Sequence, residues 1–175
     1  SGVTLNTQRR NINNDGLLIV KSGGSLVQLG TPSNAGTGTY RIEKSIVAAD
    51  HRRFNYWSSP VPNATMGDVF RAGVDTANPE DWYYFEETTQ QWSAYLSGVT
   101  ASTVLEPGRG YTSTPTEQPQ GRWFDTIRET RVFEDIAINV GTINLPISSP
   151  VVNGGSILVG NPYPSAISAQ EFVTI

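Results

Sequence analysis

The stretch Arg53–Phe70, RFNYWSSPVPNATMGDVF, limits what this chain can fold into more than any other. Phe54, Tyr56 and Trp57 can bury a large apolar area within a few residues, and Pro60 and Pro62 follow at once. A proline has no N–H for a sheet ladder, so a strand carrying these aromatics must end where they end, with Ser58 and Ser59 as turn residues. A heavy core anchor is thus joined to a fixed exit. Because side chains alternate along a strand, Tyr56 and Trp57 face opposite ways, and one can stand outside while the other fills the core. From Ala64 to Phe70 the spacing of Met66, Val69 and Phe70 predicts a single helical turn capped by Asn63 or Thr65.

The remainder of the chain is composed for short strands. Charged residues make up only 16% of the 175, below the roughly 25% of an average soluble domain, and 17 Gly and 11 Pro supply turns. The length suits one well-cored domain with room for a small appendage. A net charge of −4 with Lys21 and Lys44 as the only lysines excludes a phosphate-binding surface, so no nucleic-acid partner is expected. The absence of cysteine removes disulfides, thiolate nucleophiles and thiolate metal sites. No apolar run approaches the roughly 18 residues that span a bilayer, and no signal peptide opens the chain. With Met66 as the only methionine, Ser1 is not a translation start, and Phe172, Val173 and Ile175 make an apolar finish; both imply a piece of a larger protein.

In chain order, Leu17–Val20 and Leu26–Leu29 are short β-type runs hinged by Gly23 and Gly24, which read as a hairpin or as the corner of a β-solenoid rung, with no further repeat visible. Thr39–Val47 alternates as a half-buried strand. In WYYFEE, Trp82, Tyr84 and Glu86 share one face and Tyr83 and Phe85 the other, and Trp92 and Tyr95 lie on the return strand of a hairpin. PGRGY, Pro107–Tyr111, is a tight turn into a strand at Tyr111–Thr114, with Gly108 and Gly110 placed for positive φ. Trp123–Ile127, Thr130–Ile138 and Thr142–Ile147 read as three more strands, and Ser156–Val159 enters the turn GNPYPSA, where Tyr163–Pro164 is a candidate cis bond. The expectation is an all-β fold, an antiparallel β-sandwich of jelly-roll type, with residues 1–45 as N-terminal strands (a solenoid end or a sandwich edge) and 46–175 as the sandwich module, one compact unit.

Three segments, FNYWSSPV with DVF (Phe54–Val61 and Asp68–Phe70), PGRGY, and GNPYPSAISAQEF (Gly160–Phe172), together resemble a module of large secreted and cell-surface proteins of the Bacteroidetes, notably flavobacteria. The resemblance extends from about Gly24 to the end. It implies a part of a long exported chain, cargo of the type IX secretion system, located outside the cell or on its outer surface, with neighbouring modules and secretion-system components as partners. The segment Phe124–Val140, with Asp125, Arg128, Glu129, Arg131, Glu134 and Asp135, is more charged than that module and reads as a solvated edge strand or an insertion.

Chemistry is sparse. The lone His51 cannot build a histidine metal site, and no G-x-S-x-G elbow occurs. A glycosidase would need two carboxylates across a cleft, and Glu86, Glu87, Asp81 and Glu106 are the candidates, but adjacent Glu86 and Glu87 point to opposite faces. No catalytic residue is assigned, and the chain is expected not to be an enzyme. Asp75, Asn78, Glu80 and Asp81 form an acidic loop whose oxygens suit calcium but lack the spacing of an EF-hand. No other cofactor is expected. Trp82, Tyr84, Trp92, Tyr95 and Trp123 are candidates for a glycan platform, since flat aromatic faces stack on sugar rings; the alternative is that they fill the core. The functional expectation is a non-enzymatic module for adhesion, display or spacing. A carbohydrate-binding module and a glycan-active enzyme are the two rivals.

Overall fold

The computed structural model describes residues 2–48, 54–70, 82–93, 101–114, 127–146, 155–168 and 170. Its strands are β1 (Thr4–Gln8), β2 (Leu17–Val20), β3 (Ser25–Gln28), β4 (Thr39–Ala48), β5 (Asn55–Trp57), β6 (Trp82–Glu86), β7 (Gln91–Trp92), β8 (Tyr111–Ser113) and β9 (Ile127–Asp135), with one short helix, α1 (Met66–Phe70), between β5 and β6. The protein is all-β and sandwich-like, built from several sheets.

The N-terminal strands pair in parallel. Thr4 lies opposite Ser25 and Leu17 opposite Thr39, so the chain returns onto itself after 21 and 22 residues. Residues 2–22 and 23–44 are therefore two rungs of a coil. Of the two readings of Gly23–Gly24, the pairing follows the rung corner, because β2 and β3 lie in different sheets. Leu18 and Val20 on the first rung sit over Tyr40 and Ile42 on the second, which stacks apolar groups toward the core. The corners are tied by side chains reaching between rungs. Asn11 Oδ1 accepts from Ser33 N–H (2.9 Å), Asp15 Oδ1 from Thr37 N–H (3.2 Å) and Ser22 Oγ from Ser45 N–H (2.9 Å).

The second rung is closed on its far side. β9 runs antiparallel along β4 from Tyr40–Asp135 to Ala48–Ile127, and Leu26 N–H donates to Pro164 O (2.9 Å). The charged segment is thus an edge strand of the β2-β4-β9 sheet, but one that sends Arg131 and Phe133 into the core. The Arg131 guanidinium lies 5.8 Å from the Trp57 ring and 5.2 Å from the Phe70 ring, donates to Val69 O (3.0 Å) and pairs with Glu129 (2.8 Å). An arginine is tolerated there because aromatic faces, a carbonyl and a carboxylate together replace its water.

β5, β8, β6 and β7 form an antiparallel four-stranded sheet in that order. The β6–β7 pairing is the expected hairpin as far as Trp92, while Tyr95 lies outside the described residues. Thr65 is the cap of α1. Its Oγ1 accepts from Asp68 N–H (3.2 Å) and donates to Asp68 Oδ2 (2.6 Å), which holds Met66, Val69 and Phe70 against the core.

Three sequence segments singled out above meet in space. Gly160 N–H donates to Gly108 O (2.9 Å) and Gly110 N–H to Leu158 O (2.8 Å), and Asn139 Nδ2 donates to both Ser59 O (3.0 Å) and Pro162 O (2.9 Å). A Cβ at Gly160 would run into Ser58, and one at Gly110 into Leu158. Gly108 does have φ +87°, as the turn requires; Gly110 does not, and close packing is its reason instead. The described peptide bonds are all trans, including Tyr163–Pro164; the turn is set by Asn161, which accepts from Tyr163 N–H (3.0 Å) and donates to Ser165 O. Two expected strands differ. Residues 142–146 run without pairing, and all of Trp123–Ile127 but Ile127 lies outside the described residues.

Candidate functional site

The four-stranded sheet has one buried face and one open face, and register assigns each residue to one of them. The rows Asn55–Ser113–Trp82 and Trp57–Tyr111–Tyr84 face the core. Trp57, Tyr111, Ser113 and Trp82 are buried, and Trp57 Nε1–H donates to Ser113 Oγ (3.0 Å). The row Tyr56–Thr112–Tyr83 faces the other way, joined by Phe54 just before β5 and by the cross-strand pair Phe85–Trp92 on β6 and β7. On this face Tyr56 is 67% exposed, and Phe54 and Trp92 are 47% exposed each.

Phe54 meets Tyr83 with ring centroids 5.8 Å apart at 61°, and Phe85 meets Trp92 at 5.5 Å and 85°. Edge-to-face contacts of this kind are favoured by the charge distribution of the rings. Phe54, Tyr56, Tyr83, Trp92 and Thr112 line a groove of about 390 Å³ between them. It is apolar and rimmed by the exposed Tyr56, the general make-up of a small-ligand site.

Of the three expected platform aromatics among the described residues, Trp82, Tyr84 and Trp92, the structure brings Trp92 to this groove. Trp82 is a core residue, 1% exposed, stacked on Tyr84 at 6.5 Å and 22°. It fails as a platform because its parity along β6 is that of the buried row. Tyr84 is half-buried, and its hydroxyl donates to Glu86 Oε1 (3.3 Å); burial first, then the Glu86 charge and hydrogen bond, push its pKa up. Tyr95 and Trp123 lie outside the described residues, as do His51 and the calcium candidates Asp75, Asn78, Glu80 and Asp81. Among the described residues no group of three or more acidic or histidine side chains could hold a metal.

Sequence reasoning missed Phe54, Tyr56, Tyr83 and Phe85 as site residues. Parity was the signal that could have found them: Phe54 and Tyr56 are out of phase with Trp57, and Tyr83 and Phe85 with Trp82.

Of the four carboxylate candidates, Asp81 lies outside the described residues, and Glu87 and Glu106 both engage Arg109. Glu87 Oε1 lies 3.3 Å from Arg109 Nη1 and Glu106 Oε2 2.7 Å from Arg109 Nε, so one guanidinium is shared between them. Burial works against the Arg109 charge, but the hydrogen bond and charge of Glu106, helped by Glu87, hold its pKa above the ordinary value. The trio braces the Glu106–Tyr111 turn, where Glu106 N–H also donates to the Tyr111 hydroxyl (2.8 Å). A larger concavity of about 680 Å³ lies between β3 and residues 159–168. Its described lining, with Leu29, Val140, Ile143 and Leu145, carries no charged side chain.

No helix among the described residues is long and apolar enough to cross a membrane. A family model described as a domain of unknown function, DUF8693, matches residues 1–175. No curated protein and no solved structure matches the chain.

Proposed function

We propose that the chain, which belongs to the DUF8693 family, is a non-enzymatic adhesion module of a larger secreted or surface-anchored bacterial protein, and that its aromatic groove holds a glycan. The observation that carries this reading is the wall of exposed Phe54, Tyr56 and Trp92 with half-buried Tyr83 on the open face of a sheet whose other face is packed. Aromatic rings stack on the C–H faces of sugars without demanding charge, and the rim hydroxyl of Tyr56 can hydrogen-bond a sugar oxygen. A groove lined by aromatic rings suits one unit of a polysaccharide entering between them better than a flat crystalline surface. Glu87 and Glu106 are both tied up by Arg109, which supports binding rather than hydrolysis. Neighbouring modules of the parent chain and components of a secretion system remain partners of this proposal, with the groove free for a ligand outside the cell.

The test is affinity electrophoresis of the chain against a panel of marine and plant polysaccharides, with and without calcium. Retardation by a glycan is expected, and Tyr56→Ala or Trp92→Ala should abolish it without moving the unfolding midpoint. If no glycan retards the protein, or both variants are retarded as strongly as the original, the glycan reading is lost and a spacer role takes its place.

A further inference from the structure

The first rung of the coil is built like the second, but among the described residues nothing pairs with its outer edge. Leu5 stands in register with Leu26 at an inward position; Leu26 is 2% exposed and Leu5 53%. The side chains of Asn11 and Asp15 accept from the N–H groups of Ser33 and Thr37 on the next rung. The equivalent N–H groups of rung 1, those of Asn11 and Asp15 themselves, make no hydrogen bond among the described residues. The corner glycines repeat the pattern. A Cβ at Gly38 would run into the carbonyl oxygen of Gly16 on the rung before it, whereas a Cβ at Gly16 would meet nothing within 4 Å. Gly16 does not have positive φ, so neither its own backbone nor a neighbour among the described residues calls for glycine there.

From these features we infer that the open edge of rung 1, formed by β1 and β2, is the stacking face for a further parallel rung supplied by a preceding segment of the same polypeptide, with Asn, Asp or Ser at its corners. Such a rung covers Leu5, supplies acceptors to the Asn11 and Asp15 N–H groups, and places corner backbone where a Cβ at Gly16 would be. A second copy does not fit. Two copies meeting here about a twofold axis run antiparallel and carry the corner acceptors away from those N–H groups. Head-to-tail stacking needs the far side of rung 2, which β9 and Pro164 fill. The link is short and already exemplified: residues 21–24 carry the chain from β2 to β3, and Gly2 lies against Gly23 at the same corner. This inference is independent of the glycan groove.

The test places a copy of residues 2–22 directly before Gly2, so that Gly2 takes the part that Gly23 plays between the existing rungs. Amide hydrogen exchange at Asn11 and Asp15 should slow by at least about tenfold in the extended chain. Asn11→Ala and Asp15→Ala made in the copy alone should return those two amides to fast exchange. Gly16→Ala should leave the unfolding midpoint of the original chain nearly unchanged and lower that of the extended chain. Unchanged exchange after extension overturns the inference, as does equal tolerance of Gly16→Ala in both chains. Protection of the original chain that grows with concentration, with sedimentation as a dimer, overturns it in favour of a second copy.

Discussion

The two faces of the four-stranded sheet are built from the same strands and almost the same residue types, yet they do opposite work. On the inner face Trp57, Trp82 and Tyr111 are buried, Trp57 packs against Phe70 of α1, and Arg131 of β9 sits against Trp57 and Phe70. On the outer face Tyr56, Phe54 and Trp92 stand in solvent. Aromatic content by itself therefore says nothing about role; the face decides. A side chain that leaves water on folding contributes to stability, whereas one that stays wet can contribute to it only weakly and retains its apolar surface for a ligand.

The sharpest way to break this contrast is to truncate inner residues. Trp57→Ala should cost about 3–5 kcal/mol, read by chemical denaturation, since it removes a buried indole and the hydrogen bond to Ser113. Arg131→Ala should cost a comparable amount, about 3–5 kcal/mol, because Glu129 and Val69 O lose their cationic partner. If either is tolerated with a change below about 1 kcal/mol, the inner face is not the core that its burial implies.

A pH measurement sharpens the same contrast. Burial, acting first, raises the Tyr111 pKa from 10.0 to about 12, against the lowering effect of its hydrogen bond from Glu106 N–H. The neutral phenol is retained in the fold, so this contribution is fully present below pH 10 and is lost as pH rises from 10 toward 12. Over that window stability should fall by about 2–3 kcal/mol. Tyr111→Phe should flatten this part of the alkaline profile; an unaltered slope would mean that other groups carry it.

The smallest effects belong outside. Tyr56→Ala and Trp92→Ala should each shift stability by about 0.5 kcal/mol or less while removing glycan retention. Large destabilisation by Tyr56→Ala would turn the outer face into a second packing surface and erase the distinction.

Much of the fold was legible from local signals. The strand exit at Ser58, the Thr65 cap, the β6–β7 hairpin and the positive φ at Gly108 each depend on a few neighbouring residues. The coil was legible only as one of two readings of Gly23–Gly24, because its repeat is carried only by loosely matched inward residues: Leu5 over Leu26, Leu18 over Tyr40, Val20 over Ile42. The corners match even less, with Asn11 and Asp15 facing the backbone of Ser33 and Thr37 rather than a copy of themselves. A stacking contact needs a shape and an acceptor at the right height, and many residue types supply them. For the site, Trp82 and Trp92 look equivalent in sequence, and only pairing separates them.

Sequence alone settled the class of this protein: turn chemistry, alternation and the lack of cysteine leave an all-β chain without thiol chemistry, since those properties act over a few bonds. Tertiary structure decided that the N-terminal strands pair in parallel, that Arg131 is buried, and which aromatics face water. Each of these turns on contacts between residues far apart in the chain, such as Arg131 with Phe70 or Gly38 with Gly16, whose energy exists only once the chain has closed on itself.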